Sequence, residues 1–406
     1  MHAIHETGGS REKKRQNPML VGLVLLFAGA SAALIQYKVP TIMTDVMGLF
    51  SMDAEVGSWL MSIFTLMGIF VAVPSGAFAQ RFGAKRMMVA ALLLIAAGSL
   101  VGAFARTSAL VLASRALEGV ALTVVTTCGP VVIQACVKPQ RIGVTLGIWG
   151  IWGCVGSTVA AVLTPTVFEA VGFRGVWVAY AVVAVVAAIV LVVAIRVPRG
   201  REGESAHVAL GALETRGSRW RDAFTLDVVL FFVGFASFNI CLLAVLAYVP
   251  TILQMQGFDP TVSGLVSTIP MLLSIVSSPL FGAVSDRMGR CKPLLLVASL
   301  VMGPCTFLLY TNTGALLWVA AVIMGFVGMG GVGLFLSGYM KIMPHPERVS
   351  LAMGLMILVQ GLGQFLGTFL VQRALGPDLT NWMGAGVMLM ILGILGSVAI
   401  VLCKMK

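Results

Sequence analysis

Twelve long apolar segments dominate the 406-residue chain and limit what it can fold into. A helix needs about 20 apolar residues to cross a hydrocarbon core of ~30 Å, and backbone inside lipid must hydrogen-bond within helices or closed barrels. The short alternating strands that build a barrel do not occur. The sequence therefore predicts an all-α polytopic membrane protein with twelve transmembrane helices. The predicted spans are 18–45, 55–78, 87–105, 108–136, 143–168, 172–196, 222–253, 260–284, 291–312, 314–343, 349–374 and 380–403.

Basic residues fall mainly on one side of these spans. Placing the N-terminus inside puts 22 of the 27 Lys and Arg residues on that side and three on the other, which is the positive-inside pattern. The net charge of +11 is therefore a topology signal and does not indicate a nucleic-acid partner. We expect a monomer in the lipid bilayer of the plasma (inner) membrane, with both termini cytoplasmic.

An internal repeat divides the chain into two halves. Val39-Pro40-Thr41-Ile42 recurs as Val249-Pro250-Thr251-Ile252, and Gly76-x4-Arg81-Phe82-Gly83 recurs 206 positions later as Gly282-x4-Arg287-Met288-Gly289. Duplicated helix bundles are typical of transporters in which one half moves against the other. The predicted organisation is a cytoplasmic basic tail (1–17), a six-helix half (18–196), a cytoplasmic linker (197–221), a second six-helix half (222–403) and a short cytoplasmic tail (404–406).

Twelve spans in a 6+6 arrangement, together with the loop Gly282-Ala-Val-Ser-Asp286-Arg287-Met-Gly289-Arg290, resemble the major facilitator superfamily of secondary transporters. The resemblance covers practically the whole chain, and Arg115-x3-Gly119 in the fourth span is a second element similar to that family. The first-half loop departs from the pattern, because Gln80 stands where the family usually has Asp. The resemblance implies alternating access. The cation Lys38 in the first span, Arg115-x3-Gly119 and Tyr248-x-Pro250 in the seventh span together look somewhat like the cyanate-permease-type branch and are distantly similar to the anion:cation symporters.

The two loop elements are predicted gates. Asp286 can accept hydrogen bonds from a helix N-terminus and pair with a neighbouring arginine, which would latch helices together on the cytoplasmic face. The alternative is a turn that only satisfies the positive-inside pattern. The predicted gating residues are Gly282, Asp286, Arg287, Gly289 and Arg290 in the second half and Gly76, Arg81 and Gly83 in the first.

Lys38 breaks the symmetry of the repeat, since Tyr248 precedes the second copy. It lies in the outer third of the first span, where a charge is costly and usually faces a cavity or a partner. Arg115 in the fourth span lies at a similar depth, and two cations facing one cavity would form an anion site. Gln36 and Tyr37 beside Lys38 could hydrogen-bond a solute. The alternative is that Lys38 snorkels to the headgroups.

Glu118 follows Arg115 at i+3 and can pair with it on the same helix face. Because burial favours the neutral form of a carboxylic acid, Glu118 is a candidate carrier of a coupled proton. The alternative is an internal Arg–Glu pair that only neutralises itself. In that case Lys38 remains the unpaired cation and still favours an anion.

The second half offers polar candidates rather than charged ones. Asn239 and Tyr248 lie in the seventh span, and Gln360 and Gln364 lie four residues apart in the eleventh, on one helix face. Glycines beside the two glutamines allow close helix approach, so tight packing is the alternative to solute contact. These four residues complete the predicted substrate site.

These features predict a secondary active transporter that moves a small organic or inorganic anion by alternating access, coupled to H+. The alternative is a proton-coupled multidrug efflux antiporter, which apolar, Met-rich spans would suit. An enzyme is not expected, because the four histidines lie in tails or loops and no span carries a nucleophile with its base. No metal or cofactor is expected, since the seven cysteines lack metal-ligand spacing.

Overall fold

A computed structural model describes residues 16–138, 141–197, 225–342, 349–376 and 380–405, and these residues form helices without a strand. The predicted tail up to residue 15 and the linker from 198 to 221 lie outside the described residues. The helices are α1 (Pro18–Tyr37), α2 (Met43–Leu49), α3 (Ala54–Phe82), α4 (Ala84–Ala103), α5 (Ser108–Cys136), α6 (Ile142–Gly150), α7 (Trp152–Ala194), α8 (Leu226–Met255), α9 (Pro260–Met288), α10 (Lys292–Thr311), α11 (Ala315–Ile323), α12 (Val332–Ile342), α13 (Val349–Leu375) and α14 (Trp382–Leu402), with short 3-10 turns at Pro40–Ile42 and Met329–Gly331 and a π turn at Met324–Gly328.

Eleven helical segments among the described residues are long and apolar enough to cross a membrane. One of them, Thr145–Ala194, has 50 residues and would measure about 75 Å if straight. It bends at Gly172, whose φ of 68° favours glycine. The Thr164 hydroxyl lies 2.7 Å from that of Tyr180, although 16 residues of straight helix would separate them by about 24 Å. The segment therefore folds back as two spans, which gives the predicted twelve.

Each half is braced at the end of the bundle where α1 begins and α14 finishes, which we call the proximal end. Lys85, in the first turn of α4, donates to two carbonyls at the C-terminal end of α7, at 2.5 and 3.0 Å. Lys292, in the first turn of α10, donates to two carbonyls at the end of α14, at 2.7 and 2.8 Å. A cation satisfies the free carbonyls and the negative end of a helix, so the two lysines hold the helices of each half together.

The halves meet at the opposite end, the distal end, around Thr41 and Gln254. The Gln254 amide donates to the Thr41 carbonyl at 2.8 Å, and Ser62 donates to the Thr368 hydroxyl at 3.0 Å. Residues 28–43 and 237–253 are buried without interruption, whereas the proximal parts of α1 and α8 alternate buried and exposed positions. The first helix of each half is therefore enclosed only towards the distal end.

Candidate substrate and coupling site

A cluster of charged side chains lies inside the first half, between α1, α4 and α5. Lys38 Nζ is 2.6 Å from Glu118 Oε1 and 3.3 Å from the Ser99 hydroxyl. Arg115 donates to Glu118 Oε2 at 2.7 Å, and Ser99 donates to Oε1 at 2.5 Å. Both oxygens of Glu118 are thus held by charged or hydroxyl donors. We call Lys38, Ser99, Arg115 and Glu118 the charge cluster.

The end of α1 explains why an arginine stands at position 115. Pro40 has no N–H, so the carbonyl of Gln36, four residues earlier, lacks its helical donor. Arg115 supplies one at 3.2 Å and also donates to the carbonyls of Ile35 at 2.9 Å and Leu60 at 3.1 Å. Its guanidinium therefore joins α1, α3 and α5 and has its donors committed to protein atoms.

The charge cluster carries an excess of one positive charge, because two cations share one carboxylate. The side chains of Lys38, Arg115 and Glu118 are fully buried. Each cation also faces an aromatic ring, Lys38 at 4.2 Å from the centre of Trp177 and Arg115 at 4.4 Å from that of Phe64, and such contacts stabilise a desolvated cation. A buried net charge is costly in a low dielectric, and a nearby anion or the loss of one proton would lower that cost.

The structure joins Lys38 to the Arg115–Glu118 pair that the helical spacing predicts. Lys38 and Arg115 lie at similar depth, but both contact Glu118 and neither side chain reaches solvent. The Lys38 ammonium points between α4 and the part of α7 that follows the bend at Gly172, where Ser99 and Trp177 contact it. It is fully buried, which is not the position of a snorkelling lysine.

The remaining polar candidates take different positions. Gln36 is buried, and Tyr37 faces the space between the halves, against residues of α8 and α9. Asn239 donates to the Phe235 carbonyl of its own helix at 2.8 Å. Tyr248, which occupies the Lys38 position of the second repeat, donates to the Thr368 carbonyl at 3.1 Å.

The two glutamines of α13 are the most accessible members of the predicted site. Gln360 is exposed, Gln364 is half-buried, and the intervening Gly361 and Gly363 pack near α3 and α8 respectively. Among the described residues, no contact joins these glutamines to the charge cluster. The predicted site residues therefore fall into a buried group, which includes Asn239 and Tyr248 of the second half, and the more accessible pair Gln360 and Gln364.

The predicted gates lie at the proximal end. Gly83 and Gly289 have φ values of 91° and 67° and end the helices before them. Arg81, Arg287 and Arg290 are exposed, and Gly282 has open space around it. The side chain of Asp286 and the surroundings of Gly76 itself lie outside what the structure describes. The latch that Asp286 is predicted to make stays a prediction.

Several functional candidates were not found from the sequence. Ser99 and Trp177 contact Lys38, yet a serine and a tryptophan in apolar spans carry no distinctive pattern. Gln254 stands three residues after Thr251 of the second repeat copy, and its side chain crosses to the first half. Its position just after the repeat is the sequence feature that could have identified it. Among the described residues, no group of three His, Cys, Asp or Glu side chains could hold a metal ion.

Comparison with known proteins gives the family. The model of the Major Facilitator Superfamily matches residues 20–368 and 256–404. A cyanate transport protein of Escherichia coli K12, CynX, is 25% identical over 351 residues, which are 84% of this chain and 85% of that protein. The MFS-type transporter ppzB of Metarhizium majus is 32% identical over 115 residues, which are 28% of this chain and about a quarter of that protein's length.

Solved structures agree on the fold. A bacterial homolog of the human lysosomal transporter Spinster, in an inward-facing and occupied conformation, superposes with a TM-score of 0.78 at 12% identity, covering 96% of this chain and 97% of that one. Twelve spans in two halves, the family match over nearly the whole length and this superposition lead to one conclusion. The chain belongs to the Major Facilitator Superfamily of membrane transporters.

Proposed function

We propose that the protein is a secondary active transporter that carries a small anion together with a proton across the plasma membrane by alternating access. The observation that carries this proposal is the buried charge cluster, in which Lys38 and Arg115 share the single carboxylate of Glu118. The name of the relative CynX, a cyanate transport protein, agrees with a small anionic solute.

The excess positive charge favours anions near the cluster. Two opposite unit charges ~8 Å apart attract by about 2 kcal/mol at an effective dielectric constant of 20, which corresponds to roughly thirtyfold selectivity over a neutral analogue. Arg115 is committed to three carbonyls and to Glu118, so Lys38 is the cation that a solute can draw away. Its neighbours Gln36 and Tyr37 would contact the solute from the first half, and Asn239, Tyr248, Gln360 and Gln364 from the second.

Charge balance connects the anion to the proton. A proton on Glu118 would release Lys38 and raise the excess charge of the cluster from one to two. Binding one monovalent anion would then restore the original excess. Proton and anion therefore favour each other's binding, which is the requirement for symport. The carrier of the proton in this scheme is Glu118.

The conformation supports alternating access. With the termini cytoplasmic, as the distribution of basic residues favours, the closed distal end would face outward, which is the arrangement expected of an inward-facing state. The braces at Lys85 and Lys292 let each half move as a unit. We assign the proximal end of α9 and the turn after it, including Asp286 and the glycines and arginines around it, to the latch that closes when the distal contacts open.

Flux measurements in proteoliposomes test the proposal with the unmodified protein. Formate and nitrate, applied separately as substrate candidates, should enter with one proton each, so that uptake consumes external protons and produces no net current. Inward anion current without a change in pH would contradict coupling to protons. Transport of lipophilic cations in exchange for protons, without transport of either anion, would favour the multidrug efflux antiporter instead.

A further inference from the structure

A groove opens at the distal end of the first half, between the end of α2 and the bend of α7. Its volume is about 440 Å³, which is within the range of small-molecule sites. The walls are mainly apolar, with Leu49 and Phe50 from the end of α2 and Phe168, Val171 and Phe173 from the two sides of the bend. All the lining residues belong to the first half, so the groove is distinct from the space between the halves.

Aromatic contacts hold these walls in place. The rings of Phe50 and Phe173 meet edge to face with their centres 5.0 Å apart, and the Phe173 ring lies 4.1 Å from that of Trp177. Aromatic pairs at such distances are favourable beyond the area that they bury. Trp177 in turn covers the Lys38 ammonium at 4.2 Å. The groove is therefore preformed, and its aromatic wall is continuous with the surroundings of the charge cluster.

Arg174 gives the groove a positive charge. It is the charged residue among those that line the groove, and its side chain is exposed. Within the described part of the chain, no hydrogen bond or ion pair joins it to another residue. Glu169, the nearest acidic residue in the sequence, does not line the groove. A cation without a protein partner therefore stands beside an apolar surface.

The bilayer contains molecules that match this combination. The groove lies where the spans reach the membrane surface, and the side chains of Leu49 and Val171 are 60% and 61% exposed. Burying such apolar surface against an acyl chain is favourable, and a phosphate forms strong charge-assisted hydrogen bonds with a guanidinium. One phospholipid carries both groups, so a single molecule can pair with Arg174 and cover the apolar walls.

We infer that the groove binds a phospholipid with an anionic headgroup, whose phosphate pairs with Arg174 and whose acyl chain lies against Phe50, Phe168 and Phe173. One basic side chain at an anionic membrane surface contributes a factor of about five in affinity. The groove should therefore prefer phosphatidylglycerol to phosphatidylcholine about fivefold, because the choline group neutralises the phosphate of the latter. The inference does not depend on which solute the protein transports.

Quenching by brominated lipids tests the inference at the groove itself. Ala170 is exposed beside the groove and does not line it, and the seven native cysteines are buried, so a fluorescent thiol dye should label the folded Ala170→Cys variant selectively. The full-length protein is placed in phosphatidylcholine vesicles that contain a minor share of phosphatidylglycerol, with bromine on the acyl chains of one lipid or the other. Brominated phosphatidylglycerol should quench the dye at a mole fraction about five times lower than brominated phosphatidylcholine does.

A second labelled position and three substitutions provide the controls. Leu316→Cys, at an exposed position near the distal end of the second half, should be quenched equally by the two lipids. In the Ala170→Cys protein, Arg174→Gln should abolish the preference and Arg174→Lys should retain it, because the lysine keeps the charge. Arg373→Gln, which removes another exposed cation of the predicted outer side, should leave the preference unchanged.

Three results would overturn the inference. The first is equal quenching at Ala170→Cys by the two lipids, and the second is a preference for phosphatidylglycerol that survives Arg174→Gln. The third is relief of the quenching by inorganic phosphate beyond that caused by sodium chloride at equal ionic strength. Arg174 would then bind dissolved phosphate, and the acyl chain would have no part in the site.

Discussion

Removing the one carboxylate of the charge cluster should damage the protein far more than removing one of its two cations. Glu118→Gln would leave Lys38 and Arg115 buried with an excess charge of two. Loss of one partner from a buried ion pair costs ~3–5 kcal/mol, and Glu118 accepts three donors, at 2.5, 2.6 and 2.7 Å. We therefore expect Glu118→Gln to lower the free energy of unfolding by at least about 3 kcal/mol.

Lys38→Met should be much milder. It leaves Arg115 and Glu118 as a one-to-one pair 2.7 Å apart, retains the Ser99 bond to the carboxylate, and keeps the length of the side chain against Trp177. The expected cost is about 1 kcal/mol, the net value of one hydrogen bond. In the double variant Lys38→Met/Glu118→Gln, the excess charge is one rather than two. The double variant should therefore lose at least about 1 kcal/mol less stability than the sum of the two single losses.

Thiol reactivity provides the assay. The seven cysteines are free and buried, so a thiol-reactive fluorescent dye reports their exposure on heating. We expect the wild type to have the highest unfolding temperature, Lys38→Met a slightly lower one and Glu118→Gln the lowest. Ser397→Ala in the second half is a control for loss of a buried hydroxyl away from the cluster. If Glu118→Gln were as stable as Lys38→Met, the charge cluster would not carry the excess positive charge that we assign to it.

Three further predictions concern the fold and the distal contact. Gly172→Ala forces a side chain into φ 68° and should lower the free energy of unfolding by roughly 1–2 kcal/mol, measured by the same dye assay; an unchanged midpoint would contradict the bend. Gly119→Ala would place a Cβ inside contact distance of the Phe64 carbonyl oxygen, so we expect poor yield of folded protein in size-exclusion chromatography, and normal yield would be contradictory. Cysteines at Thr44 and Gln254, whose side-chain oxygens are 3.5 Å apart, should crosslink and stop transport until reduced; full transport in the oxidised form would argue against a gate there.

The long-range contacts of the site were beyond what the sequence could provide. Spacing alone placed Arg115 and Glu118 on one helix face, and their side chains are 2.7 Å apart. Lys38 reaches the same carboxylate from 80 residues away, and no local pattern signals that contact. It depends on the end of α1, where Pro40 turns the chain and frees carbonyls for Arg115.

The fold was easier to predict than its interruptions. Apolar length alone gave the twelve spans, and the family match and the superposition confirm that architecture. The predicted span 18–45 is one apolar run, yet α1 ends at Tyr37 and a 3-10 turn begins at Pro40, whereas the matching Pro250 lies inside the continuous helix α8. Likewise the span 314–343 contains π and 3-10 turns at Met324–Gly331, where glycines weaken the helix. The sequence stays apolar across both interruptions, so hydropathy alone does not predict them.

Ligand-induced stabilisation of the wild type and of Lys38→Met tests the central claim, an anion site that depends on the charge cluster, most directly. An anion present at 100 times its dissociation constant adds ~2.7 kcal/mol to the stability of a protein that binds it. The account predicts that formate or nitrate stabilises the wild type and Arg106→Gln, an exposed cation outside the cluster, but not Lys38→Met. Equal stabilisation of all three proteins by lipophilic cations, with no response to small anions, would contradict it.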